Sequence, residues 1–238
     1  MNTNSVRISK KPLSSKGIFS LTPFTLLDYP HKTACIVWFA GCNMRCLYCY
    51  NPDIVLGKGK ISFDDVLSFL KTRKGLLEGV VLSGGECTLH KKIIAFIKEI
   101  KAMEFAVKID TNGSNPKILN SLIHDQLIDY VALDYKSLPH TFEKLTQSGL
   151  FSEFEESLEI LIRSDIPFEV RTTFHSSLIT ESDFVKMIKY LEKQNFEGNY
   201  YVQHFMNNVP TLSKLDDSNK KIQIKEFSTP KIKVIFRE

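Results

Sequence analysis

Six short apolar runs recur along the 238-residue chain, mostly separated by stretches with helical spacing, and this alternation limits the fold more than any other feature. Residues 34–40 (ACIVWFA), 79–83 (GVVLS), 106–110, 130–135 (YVALDY), 167–174 and 200–205 are short and rich in β-branched and aromatic side chains, the mark of buried strands. Residues 62–71, 91–103, 116–124, 152–163 and 181–193 read as helices. The first of these opens on Ser62 as an N-cap with acids in its first turn. Ile93, Ile94, Ile97 and Ile100 share one helical face, and Leu158, Leu161 and Ile162 another. Strand–helix alternation implies parallel strands joined by right-handed crossovers. The expected class is α/β: a partial (β/α)6 barrel, with a parallel sheet inside and helices outside. Residues 1–16 read as a flexible basic lead-in. Residues 17–33 hold Pro23 and Pro30 and suggest an irregular or hairpin prelude. The barrel domain is expected over 17–213. Residues 214–238 form an extension packing on or beside it, with β-like runs at 222–227 and 232–236.

The formal net charge of +4 is concentrated at the ends of the chain. Such ends can meet acidic partners, but no Lys/Arg stripe interleaved with aromatics suggests a nucleic-acid groove. The longest apolar run is far too short to span a bilayer. The first residues lack the apolar core of a secretory signal. The expectation is a cytoplasmic protein without nucleic-acid or membrane partners. In that compartment five cysteines do not make a disulfide framework, and three of them fall within eight positions.

Chemistry-bearing residues follow the strands in phase. Cys42 comes after the first, Gly84-Gly85-Glu86 after the second and Thr111-Asn112-Gly113 after the third; Asp134 and Lys136 end the fourth. Barrels of this kind place their chemistry just beyond the C-terminal ends of the strands. On strand four, Asp134 and Lys136 share a face opposite Val131, Leu133 and Tyr135. On strand five, Arg171 shares a face with Glu169 and Thr173.

The loop from Gly41 to Pro52 carries C-x3-C-x2-C: Cys42, Cys46 and Cys49. Thiolates are soft ligands for iron–sulfur clusters or zinc. Three of them can hold three irons of a cubane and leave the fourth open to a small molecule. The zinc alternative needs a fourth ligand, and the six histidines are dispersed.

With an aromatic residue, Tyr48, before its last cysteine, the loop resembles that of the radical S-adenosylmethionine (SAM) superfamily. The resemblance implies a [4Fe–4S] cluster whose open iron chelates SAM and whose electron cleaves it to methionine and a 5′-deoxyadenosyl radical. Leu82-Ser83-Gly84-Gly85-Glu86 is similar to the family's glycine-rich motif, which holds the SAM amino end. More narrowly, Phe24–Pro30 (FTLLDYP), Tyr48-Cys49-Tyr50-Asn51-Pro52 and Arg171-Thr172-Thr173 resemble the activases of glycyl radical enzymes, in particular the anaerobic ribonucleoside-triphosphate reductase activating proteins. That resemblance implies an oxidoreductase acting on a glycyl radical enzyme, with a flavodoxin or ferredoxin as electron donor. It also implies SAM contacts at Asp110, Thr111, Asn112, Asp134, Lys136 and Arg171, and a monovalent cation near Asp110 and Asp134. His204 is expected either to reach SAM or to be structural. Alternatives are an activase of the pyruvate formate-lyase type, a radical SAM enzyme on a small molecule, or a non-enzymatic Fe–S or zinc module. The chain departs from the family at two positions: Tyr50 stands where histidine is expected and Cys87 where proline is. Cys35 and Cys87 read as small buried residues.

Overall fold

A computed structural model describes residues 13–219 and 227–237. Most of the lead-in and the run at 222–227, apart from Phe227, lie outside the described residues. Among the described residues nine strands form one sheet. They are β1 (Lys16–Thr25), β2 (Ala34–Phe39), β3 (Ile61–Ser62), β4 (Gly79–Gly84), β5 (Ala106–Thr111), β6 (Tyr130–Asp134), β7 (Phe168–Phe174), β8 (Gly198–His204) and β9 (Ile232–Arg237). Their order is β3-β1-β2-β4-β5-β6-β7-β8-β9. Every pair from β2 to β9 is parallel. The six expected strands are therefore β2 and β4 to β8, in the expected order.

Three strands, β1, β3 and β9, extend the expected set. The prelude is a long strand, β1, antiparallel to β2. Pro23 is tolerated because the ladder shifts register between Thr22 and Thr25, and β3 pairs with β1 only near Lys16 and Ile18. At the other edge β9 adds a seventh parallel strand beside β8. Arg237 of β9 makes a bidentate pair, 3.0 Å on each arm, with the buried carboxylate of Glu169, which also accepts from Tyr130 Oη at 3.1 Å.

The helices are α1 (Pro52–Leu56), α2 (Phe63–Lys71), α3 (Ile93–Ala102), α4 (Pro116–His124), α5 (Pro139–Thr146), α6 (Phe151–Arg163) and α7 (Glu181–Lys193). Ser62 caps α2 in a reciprocal box with Asp65. In α3 it is Phe96 rather than Ile94 that joins Ile93, Ile97 and Ile100 in the core. The short helices α1 and α5 are additions to the expected set; each opens on proline, which is preorganised for a first turn.

Alternation along the strands builds two different faces. Cys35, Val37 and Phe39 of β2, and their counterparts on β4 to β8, pack in the main core with the helices. On the other face Tyr29, Ala34, Ile36 and Val81, with Trp38, Ala106 and Tyr130 against them, form a smaller apolar cluster near the strand beginnings. Two to four residues further along, that same face turns polar. Ser83, Lys108, Asp110, Asp134, Arg171 and Thr173 lie there, and this change of character positions the site.

Candidate active site

Beyond the ends of the parallel strands lies a cavity of about 190 Å³, an order of magnitude above the ~10–15 Å³ that holds one water. All three motif cysteines line it, with Tyr48, Gly84, Gly85, Asp110, Thr111, Asn112, Asp134, Lys136 and Arg171. Sequence reasoning thus assembled most of its wall from segments far apart in the chain.

The cysteine loop is held by its backbone. Gly41 turns the chain out of β2 at a φ of +84°, a region that favours glycine, and its amide donates to the Ile54 carbonyl at 2.9 Å. The amides of Arg45 and Leu47 donate to the carbonyls of Thr146 and Leu145 at the end of α5, at 2.8 and 3.0 Å. Met44 and Tyr48 are buried anchors. Burial pushes the Cys42 thiol up to about 12 and raises that of Cys46 as well, so ligation of metal has to release their protons.

The glycines of the second motif serve the backbone first. A Cβ on Gly85 would lie 1.8 Å from the Gly41 carbonyl oxygen, and one on Gly84 2.3 Å from the Phe39 amide nitrogen. They let the end of β4 lie directly against the root of the cysteine loop. Glu86 does not line the cavity. It is buried and accepts from Thr88 N and Oγ1 (3.1 and 2.7 Å), Thr111 Oγ1 (2.9 Å) and Asn112 N (2.7 Å). Burial raises its pKa, with the hydrogen bonds opposing. The carboxylate oxygens are thus engaged by the chain itself, and Glu86 joins the loops after β4 and β5. Its neighbour Asn112 reaches the site instead, with Nδ2 3.7 Å from Cys42 Sγ and 3.1 Å from Asn43 Oδ1.

Across the cavity the charged groups pair with one another. Arg171 Nε and Nη2 lie 3.0 and 2.9 Å from Asp134 Oδ1, and Nη1 lies 3.4 Å from Asp110 Oδ2. Lys136 Nζ donates to Asp134 Oδ2 at 3.1 Å, Ser83 Oγ to Asp110 Oδ2 at 3.1 Å, and Lys108 pairs with Asp110 Oδ1. Burial alone would raise the Asp110 pKa, but Arg171 and Lys108 hold it at about 2. Asp134 is lowered by Arg171 and Lys136 against the same burial. Lys136 stays high against burial because Asp134 and then Tyr48 favour its charge. Two carboxylates thus face three side-chain cations. The negative charge of the pair is met by these side chains, so a monovalent cation near Asp110 and Asp134 would have to share it with them.

His204 also leaves the site. On β8 the alternation that turns Tyr201 and Gln203 to the cavity turns His204 to the helix side, stacked on Phe236 at 5.0 Å and edge-on to Phe174 at 6.0 Å. The sequence reading missed a second lobe of about 370 Å³, which shares Asn51, Asp110, Asp134, Lys136, Arg171 and Thr173 with the first. Leu27, Trp38, Tyr201, Gln203 and Arg237 line its outer part, and Arg237 lies 3.7 Å over the Tyr201 ring. Period-two alternation could have found Tyr201 and Gln203.

The donor set fits a cubane cluster with a small charged ligand. Three soft thiols share one cavity, and Lys136 and Arg171 can meet a carboxylate. The Tyr48 phenol beside Lys136 is buried and finds no hydrogen-bond partner among the described residues. Among the described residues no group of three or more His, Cys, Asp or Glu could hold a single metal ion. A cubane makes no such demand, since each thiolate takes its own iron.

The chain belongs to the radical SAM superfamily, whose family model matches residues 36–205. This family uses a [4Fe–4S] cluster and SAM. The chain is 29% identical over 195 residues, 79% of each chain, to a Methanocaldococcus jannaschii protein whose name assigns it to the glycyl-radical enzyme activating enzymes. It is 33% identical over 152 residues to the pyruvate formate-lyase-activating enzyme of Clostridium pasteurianum, covering 60% of this chain and 63% of that one. A GTP 3′,8-cyclase of Petrotoga mobilis is 26% identical over 185 residues, covering 68% and 57%. Among solved structures, Streptococcus suis SuiB bound to S-adenosylmethionine shares the fold at a TM-score of 0.56 and 13% identity, over 76% of this chain and 45% of that longer one. No helix among the described residues is long and apolar enough to cross a membrane.

Proposed function

We propose that this chain is an activase that generates a glycyl radical on a partner enzyme, the anaerobic ribonucleoside-triphosphate reductase. The carrying observation is the convergence of Cys42, Cys46 and Cys49 with Lys136 and Arg171 on one cavity. The three thiolates would hold the cluster. Gly84 and Gly85, Thr111 and Asn112, and the cations Lys136 and Arg171 would hold SAM beside Tyr48. When bound, the two cofactors supply reductive cleavage of SAM to methionine and a 5′-deoxyadenosyl radical, which removes a hydrogen atom from the partner's glycine. The protein's share is to fix geometry and exclude water. Arg171 and Lys136, locked by the two aspartates, are preorganised and need little reordering to meet a carboxylate. The second lobe offers room for a partner's glycine loop beside the cluster lobe. No cysteine-rich insert lies between the loop and Gly84, so a flavodoxin or ferredoxin would supply the electron.

Anaerobic reconstitution with iron and sulfide, followed by SAM and dithionite, tests the cofactor reading; it fails if no methionine and 5′-deoxyadenosine appear. Electron paramagnetic resonance on the added reductase then tests the activase. A doublet split by the glycine α-hydrogen is expected, and its absence sinks the proposed partner. The similarity to a pyruvate formate-lyase activase favours a second reading with a formate-lyase as partner, for which the same spectrum on that lyase decides.

A further inference from the structure

The segment 205–218 leaves β8, crosses the outside of the cysteine loop and returns to the end of β7. The amide of Leu212 donates to the Cys49 carbonyl at 3.0 Å and that of Ser213 to the Leu47 carbonyl at 3.1 Å. Further on, the Asp216 carbonyl lies 3.0 Å from His175 Nε2, and the Ser176 amide donates to Ser218 Oγ at 3.0 Å. With the end of α5 on its other edge, the loop is gripped along both sides.

One side chain joins the loop to the start of this segment. Tyr50 Oη accepts from the Met206 amide at 2.7 Å, and its ring stacks on Phe205 with centroids 5.4 Å apart and planes 21° from parallel. Phe205 in turn packs on His175 at 4.5 Å, and its amide donates to the Phe174 carbonyl at 2.8 Å. Tyr50 directly follows Cys49 and lines the cavity with it. Its phenolic oxygen extends further from the backbone than any imidazole nitrogen can. The departure from the expected histidine thus coincides with a contact that tyrosine makes and histidine cannot reach in the same way.

We propose that Tyr50 is a positioning residue that latches the segment 205–218 over the loop and shields the iron bound at Cys49 from solvent and oxygen. The inference rests on the reading of the three cysteines as cluster ligands. Tyr50→Phe keeps the stack and removes the acceptor, whereas Tyr50→Ala removes both. In the cluster-free full chain, hydrogen exchange at the Met206 amide is expected to quicken roughly tenfold in Tyr50→Phe, with wider opening of the segment in Tyr50→Ala. Unchanged exchange in Tyr50→Phe overturns the latch, even if the alanine variant does not fold. After anaerobic reconstitution, the visible charge-transfer absorption is followed in air-saturated buffer. Its half-life is expected to shorten several-fold in Tyr50→Ala and less in Tyr50→Phe, with iron content before exposure unchanged. Equal half-lives in wild type and Tyr50→Phe overturn the shielding role alone. A wild-type chain that takes up no cluster overturns the reading of the cysteines, and the shielding with it.

Discussion

The two walls of the cavity are built by opposite means. On the cysteine side the backbone is fixed, by amides and carbonyls shared with α5 and the segment 205–218, and the thiols carry little of that load. On the charged side the side chains fix one another: Arg171 spans Asp110 and Asp134, and Lys108 and Lys136 complete the set. The difference shows how one site separates tasks. Ligand atoms stay available where the main chain is restrained, and polar groups stay oriented in a buried layer where they are already paired. Substitutions on the two walls should therefore separate activity from stability.

The sharpest break comes from the first wall. Cys46→Ala is expected to abolish cluster retention and SAM cleavage while lowering the stability of the cluster-free protein by about 1 kcal/mol or less, read from iron content, 5′-deoxyadenosine yield and denaturant unfolding. An active variant would remove the cysteines from the mechanism. A large stability loss would remove the contrast between the walls.

Arg171→Met is expected to strike the fold first, and SAM binding with it. Removing one partner from a buried ion pair costs ~3–5 kcal/mol, and the lower end is expected because the Arg171 side chain is a quarter exposed. Acid unfolding gives the sign. Asp110 is held at about 2 in the folded chain, against roughly 3.9 unfolded. A lowered folded value contributes stability above the unfolded pKa and loses it as pH falls toward 2. Without Arg171 that protection shrinks, so the acid midpoint, followed by circular dichroism at fixed salt, should move to higher pH. An unmoved midpoint would show that Lys108 and Ser83 suffice for Asp110.

Glu86 sits behind both walls and tests what joins them. In Glu86→Gln an amide N–H2 must face a donor whichever way the group turns, because both carboxylate oxygens accept. The expected cost is ~2 kcal/mol, or a melting point lower by roughly 4–8 °C in a chain of this size. If Glu86→Gln instead left stability intact and weakened SAM binding, the carboxylate would be a ligand contact after all.

These results mark where the sequence was readable. The parallel strands and the residues at their ends followed from local patterns: apolar runs with two-residue alternation, and polar residues at the run ends. That logic placed Asp134, Lys136 and Arg171 on the cavity wall. It failed where partners are distant in the chain. Nothing local says that Thr88, Thr111 and Asn112 will engage Glu86, or that Arg171 will lie between Asp110 and Asp134. The place of β9, and with it Arg237 against Glu169, depends on pairing with β8 across a long connection. The resemblance tied Gly84 and Gly85 to SAM, whereas the close approach they make in the fold is to the chain's own backbone at Phe39 and Gly41, which no local pattern announces.

The smallest expected effect concerns His204, where one step of alternation decides the outcome. Tyr201 and Gln203 face the second lobe, so His204 must face the helices, between Phe174 and Phe236. His204→Phe keeps an aromatic ring in that stack and alters no residue of either cavity lobe. SAM affinity, measured by equilibrium binding to the reconstituted protein, should stay within about twofold of wild type, or ~0.4 kcal/mol. A tenfold loss would mean that the end of β8 turns its last side chain back toward the cluster when the cofactors bind. In that case the two-face description of this strand would hold only up to Gln203.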